Sequence, residues 1–246
     1  MFLGIKLMKR LKFLVKILPI CLLITFLACQ QNNEEIFADL IVNSNDVNIE
    51  FFWKDDEDRT FRSLKKLRNY VLKSGKSLRF AMNGGMYQED NKPLGLFIQN
   101  QKTLTPLNTR EDAKGNFYIK PNGVFYLTTD RKAFISPTQS FKDDGQVKFA
   151  TQSGPMLLIG GQINSEFMQN STNVNLRNGV CILEDNKIVF AISRQEVNFY
   201  DFAKHFKDLG CKDALYLDGF VSKMYLPEKN IKELNGDFGV IIGITE

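Results

Sequence analysis

The sequence predicts a single α+β domain: a mixed, strongly curved central β-sheet flanked by two main helices. Three observations lead there. Of the 246 residues, 43% are hydrophobic and 21 are Phe, which is enough apolar mass for one sizeable core and too much for a disordered chain. Short apolar runs broken by Gly, Pro and Asn recur from residue 46 to the end, the pattern of strands joined by tight turns. Only two stretches carry the three-to-four-residue spacing of an amphipathic helix.

In chain order, "DVNIEFFW" (46–53) reads as the first strand. "TFRSLKKLRNYVLKSG" (60–75) reads as a helix: Thr60 caps it, Phe61, Leu64, Leu67 and Val71 share a face, and Gly75 ends it. "SLRFAM" (77–82) is a buried strand. The text from there to residue 149 is strand-and-turn throughout. "GPMLLIGGQI" (154–163) reads as a hairpin arm or as a buried strand and turn. "RNGVCILEDNKIVFAIS" (177–193) is a hairpin with its turn at 184–187. "NFYDFAKHFKDLG" (198–210) is the second helix, capped by Asn198, packed through Phe199, Phe202, Ala203 and Phe206, and stopped by Gly210. Strands at 214–217 and 238–244 complete the domain, with no internal repeat or heptad.

The N-terminus predicts export. A basic stretch, "KLMKRLKFLVK", precedes an apolar one, "ILPICLLITFLAC", too short to span a bilayer comfortably. Residues 1–28 read as a lipoprotein signal peptide, because "FLAC" resembles the lipobox of bacterial lipoproteins; that resemblance makes Cys29 the lipidated first residue. Residues 29–45, beginning "CQQNNEE", then read as a solvated tether, and 46–246 as the domain. The expected setting is the cell envelope, with the membrane a partner through the acyl anchor. The net charge of +4 sits in this leader; without residues 1–28 there are 27 basic against 28 acidic side chains, so no basic patch for nucleic acid is expected. Of the remaining cysteines, Cys181 and Cys211 both lie in apolar runs and read as two buried free thiols, with pairing the alternative. Two cysteines and one histidine cannot make an all-Cys/His zinc site, and no cofactor is expected, although a hard cation such as calcium held by carboxylates and carbonyls stays open.

Chemistry concentrates where apolar runs end in a small polar residue beside glycine: Asn83-Gly84-Gly85, Asn122-Gly123, Ser153-Gly154, Arg177-Asn178-Gly179 and Asp218-Gly219. Each alone is a turn signal. Together they suggest strand ends where backbone approaches a ligand. The only histidine, His205, lies on the second helix among "FAKHFKD" and reads as structural; no Gly-x-Ser-x-Gly elbow accompanies it, which removes a serine triad.

The segments "NGGMY", "GNFYIKPNGVF", "ATQSGPMLLIGGQI", "LRNGVCI", "VNFYDFAKHFKDLGCKDALYLDGFVSKMY" and "FGVIIGI" resemble, in this order, the phosphodiester glycosidase family. That family includes the lysosomal enzyme that uncovers the mannose-phosphate tag by removing N-acetylglucosamine. Asn83 and Gly85 match its Asn-Gly/Ala-Gly-aromatic motif, with Met86 in the aromatic position. Arg177 matches the arginine that opens its Arg-Thr/Asn motif. Asp218, Gly219 and Ser222 match its Asp-Gly-Gly-Gly-Ser motif, while Phe220 and Val221 replace two glycines and imply a bulkier, stiffer loop.

The resemblance implies a sugar joined through C1 to a phosphodiester, and so a glycan or sugar-phosphate substrate. Cleavage of C1–O passes through an oxocarbenium-like state that a carboxylate stabilises or attacks. Asp218 is the candidate carboxylate and Arg177 the candidate phosphate fork, with Asn83 completing the catalytic group. Gly84, Gly85, Asn122, Ser153, Gly154, Asn178, Gly219 and Ser222 are the candidate substrate-binding positions. A phosphate leaving group needs little proton help, its second pKa being near ~6, so one carboxylate can suffice. Should a second acid take part, Glu89 or Asp90 is nearest by motif, though both read as a surface turn. The rival expectation is a non-catalytic carbohydrate-binding lipoprotein on the same scaffold.

Overall fold

The computed structural model describes residues 35–246, of which Ile36–Glu246 form one compact unit. The signal segment, Cys29 and the first part of the tether lie outside the described residues. Among the described residues the strands, numbered in chain order, fall into three sheets. The first runs β1 (Phe37–Asn43), β12 (Lys187–Ser193), β11 (Asn178–Ile182), β13 (Ala214–Asp218), β9 (Met156–Ile159), β10 (Gln162–Ile163). The second runs β15 (Ile231–Lys232), β14 (Met224–Leu226), β3 (Leu78–Asn83), β16 (Ile241–Thr245), β2 (Asn48–Phe52). The third runs β5 (Lys102–Thr105), β4 (Phe97–Gln99), β8 (Val147–Ser153), β6 (Gly123–Thr128), β7 (Ala133–Pro137). The α-helices among the described residues are α1 (Leu64–Lys73) and α2 (Phe199–Asp208).

The α+β class and the two helices agree with the sequence; the single curved, mixed sheet does not. Every pairing between these strands is antiparallel, and the strands are divided among three sheets. The reason lies in the core they share. Phe51 and Phe80 of the second sheet, Phe125 and Phe149 of the third and Phe190 of the first converge in one cluster. Ring centroids are 5.5 Å apart for Phe51–Phe149 and 5.0 Å for Phe80–Phe190. Burying each such ring contributes on the order of 2–3 kcal/mol. Three faces closing on a common aromatic centre bury more than one curled layer of such short strands could.

The helices cover outer faces. Leu64, Leu67 and Val71 of α1 pack on Phe52, Ala81, Tyr225 and Ile241. Phe199, Phe202, Ala203 and Phe206 of α2 pack on Cys181, Val189, Ala191 and Tyr216. Asn198 caps α2 as expected, accepting from the Asp201 N–H. α1 instead starts after Ser63, whose hydroxyl accepts from the Lys66 N–H; Thr60 is held in an antiparallel bridge with Lys54, next to which the Phe61 N–H is donated to the Trp53 carbonyl.

Two further expectations are corrected. Residues 37–43, read as tether, form edge strand β1, paired along its length with β12. Ala38, Leu40 and Val42 alternate into the core, a period-two signal that the polar "QQNNEE" obscured. Cys181 and Cys211 are joined in a disulfide, not held as free thiols, with Cα atoms 6.1 Å apart. Cys181 lies on β11, beneath α2. Cys211 follows that helix, its N–H donated to the Phe206 carbonyl, and so arrives directly over Cys181.

The sheets are tied together at the strand ends that carry the polar residues. Thr151 Oγ1 donates to the Gly84 carbonyl at 2.9 Å, linking third sheet to second. Ser153 Oγ donates to the Leu217 carbonyl at 2.7 Å, linking third to first. Asn178 Nδ2 donates to the Asn83 carbonyl at 2.7 Å, linking first to second.

Candidate active site

Asp218 ends β13, a strand whose Leu215 and Leu217 enter the central core. The ladder to β11 changes register here. Tyr216 faces Gly179 and Asp218 faces Asn178, leaving Leu217 as an extra residue. Such a bulge re-aims the side chain at a strand end. The carboxylate is nearly buried, at 8% exposure. Oδ1 accepts the Gly219 N–H at 2.7 Å, and Oδ2 accepts from Asn83 Nδ2 at 3.3 Å. Burial raises its pKa from 3.8 to about 6, against the opposing pull of those two hydrogen bonds.

The neighbouring amides form one closed network. Asn178 Oδ1 accepts from the Asp218 N–H at 3.0 Å and from Ser222 Oγ at 3.2 Å. Its Nδ2 also reaches Asn83 Oδ1, at 3.1 Å, and that oxygen takes the Lys223 N–H at 2.9 Å. The Ser222 hydroxyl lies 2.9 Å from the Asp218 carbonyl, and its N–H closes a turn on the Gly219 carbonyl at 2.8 Å. Asn83, Asn178, Asp218, Gly219 and Ser222 are therefore one assembly, drawn from β3, β11, β13 and the loop after it.

Gly219 is required for close approach, not for a left-handed turn. A Cβ there would overlap the Tyr216 hydroxyl directly beneath it. That hydroxyl accepts from Arg177 Nη1 at 3.2 Å. Arg177 is fully buried, its guanidinium 3.7 Å from the centroid of the Phe199 ring. Nε donates to the Val197 carbonyl at 2.7 Å and Nη2 to the Asn173 carbonyl at 2.8 Å. No carboxylate pairs with it among the described residues, and one N–H of Nη1 has no protein acceptor there. Burial lowers its pKa; Tyr216 acts in the opposite direction. Burial also pushes the Tyr216 phenol well above its ordinary range.

The other expected positions lie further out. Gly84 and Gly85 pass against Ile242 and Thr151. Ser153 is spent on the Leu217 carbonyl, one residue from Asp218. Asn122 touches Gly154, where a Cβ would come within 2.5 Å of the Asn122 Cβ; its Nδ2 donates to the Phe117 carbonyl, while its buried Oδ1 has no partner. Glu89 and Asp90 lie on an exposed turn. His205 pairs with Asp39 at 2.8 Å and stacks on Phe37, a structural role. No three His, Cys, Asp or Glu side chains gather as cation ligands among the described residues.

Residues 76–239 match the phosphodiester glycosidase family. The chain belongs to that family. It is 38% identical over 186 residues to the uncharacterized protein YigE of Escherichia coli (strain K12), covering 75% of this chain and 72% of that one. Its fold is similar to the catalytic domain of zebrafish N-acetylglucosamine-1-phosphodiester alpha-N-acetylglucosaminidase auto-inhibited by its pro-peptide. The TM-score is 0.54 at 14% identity, over 87% of this chain and 85% of that one. A hypothetical protein from Synechocystis shares it too, with a TM-score of 0.51 at 12% identity, over 85% of this chain and 59% of that one.

Two side chains of this candidate site carry no motif that singles them out in the sequence. Tyr216 stands between Arg177 and Gly219; its position two residues before Asp218 on the same strand was the available signal. Tyr87, the last residue of "NGGMY", is half-buried, and its phenol is pushed up to about 12 by burial and then by the Asp218 carboxylate.

Proposed function

We propose that the protein hydrolyses sugar-1-phosphodiesters at the C1–O bond, with Asp218 as the carboxylate that meets the anomeric carbon and Arg177 as the cation for phosphate. Family membership supports a glycosidase-type hydrolase acting on phosphodiester-linked sugars. The observation that carries the residue assignment is Asp218 itself: a nearly buried carboxylate, hydrogen-bonded on both oxygens and poised near neutrality. In its ionised form it offers negative charge in a poorly solvated site, where an oxocarbenium-like centre gains most from it. The C1–O electron pair leaves with the phosphate, now a monoester, and water supplies the new hydroxyl at C1. Arg177 is buried behind the Tyr216 phenol, so it acts on that departing charge from a distance, by an electrostatic pull that no nearby acid cancels, and not as a direct phosphate fork. Asn83, Asn178 and Ser222 position the carboxylate and its loop.

Export and anchoring belong to the same reading. The leader ending at Cys29 supports a lipid-anchored envelope location, and the Cys181–Cys211 disulfide supports an oxidising compartment. The test is to incubate the wild type and Asp218→Asn with an N-acetylglucosamine-1-phosphodiester and measure free sugar. Wild-type turnover should rise with pH and level off above about 6, as Asp218 ionises, and the variant should release none. Binding without release by the wild type would leave a carbohydrate-binding protein instead.

A further inference from the structure

We infer that the end of the domain that carries the site docks on a lipid bilayer through Phe220, and that the sugar-1-phosphodiester it takes is one carried by a membrane lipid. The inference rests on the hydrolase and the Cys29 anchor proposed above. Strand β1 enters the first sheet at this end. The Arg194 N–H is donated to the Ile36 carbonyl at 2.8 Å, and Phe37 faces Ser193. Ser193 is bonded to Arg177 twice: its N–H is donated to the Arg177 carbonyl at 2.8 Å, and its Oγ accepts the Arg177 N–H at 2.9 Å. The next residue, Asn178, faces Asp218. In strand order β1, β12, β11, β13, the start of β1 and Asp218 are three strand spacings apart, about 14 Å. Cys29 lies seven residues before Ile36, so a lipid on it holds this end within about 25 Å of the bilayer surface.

The surface at this end suits lipid. Phe220 is 92% exposed, Met168 72%, Ile36 45% and Val174 40%, four of the seven exposed large hydrophobics among the described residues. Val174 precedes Leu176, whose carbonyl lies 3.5 Å from Ser222 Oγ. Met168 follows Phe167, whose ring stacks on Phe199, itself packed on the Tyr216 ring beneath Gly219. Residues 165–176 and 219–222 carry three of the four and hold a single charged side chain, Glu166. Contact with headgroups therefore desolvates little charge and needs no anionic lipid. Phe220 does not hang from a loose loop. Its turn is closed by the Ser222 N–H on the Gly219 carbonyl and by Ser222 Oγ on the Asp218 carbonyl. A ring held in water by a fixed turn gains apolar burial at the interface with little further loss of backbone freedom. A diester that reaches Asp218 past this rim arrives from the headgroup layer. Water then cleaves C1–O, and the phosphate monoester stays in the bilayer on its lipid.

The full chain is purified in detergent and reconstituted through its anchor in neutral phosphatidylcholine vesicles. Trp53, the only native tryptophan, is buried, so an added indole reports its own position. In Phe220→Trp, brominated lipid should quench the added emission, at low and high salt alike. Phe134→Trp, beside the 184–187 turn at the other end of the β11–β12 hairpin, should escape quenching. Two diesters of N-acetylglucosamine-1-phosphate are then compared, one with diacylglycerol in the same vesicles and one with methanol in solution. Phe220→Ala should lower kcat/KM for the vesicle-borne diester by about tenfold, the weight of one apolar side chain leaving the interface, and leave the methyl diester unchanged. No quenching at position 220, or equal quenching at 134, overturns the docking. Equal activity of Phe220→Ala and the wild type on both diesters overturns the lipid-borne substrate. Absence of turnover of either diester by the wild type overturns the hydrolase reading, and the lipid-borne substrate with it, while the quenching still decides the docking. A mature chain without acyl mass overturns the anchor and the docking that depends on it.

Discussion

Asp218→Asn should change stability in a pH-dependent way that the site's geometry specifies. In the wild type the buried carboxyl holds its proton up to about pH 6, whereas the unfolded chain releases it near 3.8. The native state therefore binds more protons between those values, and wild-type stability falls as pH rises through that window. From about pH 4 to about pH 8 the loss is roughly 2.5 kcal/mol. An asparagine does not titrate and escapes it. It meets a smaller, pH-independent penalty: its amide must face Asn83 Nδ2, a second donor, which costs about 1 kcal/mol because the replaced contact is long, at 3.3 Å. The variant should melt below the wild type or level with it near pH 4 and above it near pH 8. For a domain of this size, the gap between the two proteins should move by about 5–10 °C over that range. Thermal melts at both pH values measure it. A difference that does not change with pH would show Asp218 to be ordinarily solvated, and the electrostatic basis of the proposed chemistry would fall.

Three further outcomes follow from contacts in and around the site. Gly219→Ala forces a methyl into the Tyr216 hydroxyl and should destabilise by about 1–3 kcal/mol, with Tyr216→Phe in the same chain restoring part of the loss; no loss in the single variant would contradict the close approach. Asn178→Ala leaves the Asp218 N–H and the Asn83 carbonyl without their partner and should cost about 2–4 kcal/mol in denaturant unfolding, whereas less than about 1 kcal/mol would deny it a bridging role. Reducing Cys181–Cys211, a bridge across a sequence separation of 30, should lower stability by about 3–4 kcal/mol, and an unfolding midpoint indifferent to reductant would show that the bond does not form.

Much of the local structure was legible in the chain. The Asn198 cap, the apolar face of α2 and the 184–187 turn depend on neighbours within a few residues. So did the coincidence of small polar residues with strand ends, because an apolar run stops where the chain meets a site or solvent. Other features were not legible. Thr60 and Ser63 are both competent caps, and the contact of Phe61 with Trp53 decided between them. Edge strand β1 took its identity from pairing with β12, more than a hundred residues away.

By itself the sequence determined the α+β class, the two helices and the set of polar strand ends from which the site is drawn, since periodicity and turn chemistry act over short stretches of chain. Tertiary structure alone decided that five phenylalanines from three sheets share one core, that Leu217 bulges and turns Asp218 into the Asn83–Asn178–Ser222 network, and that Tyr216 lies under Gly219 with Arg177 behind it. Those are contacts between residues far apart in the chain, and their geometry exists only once the sheets have closed on one another.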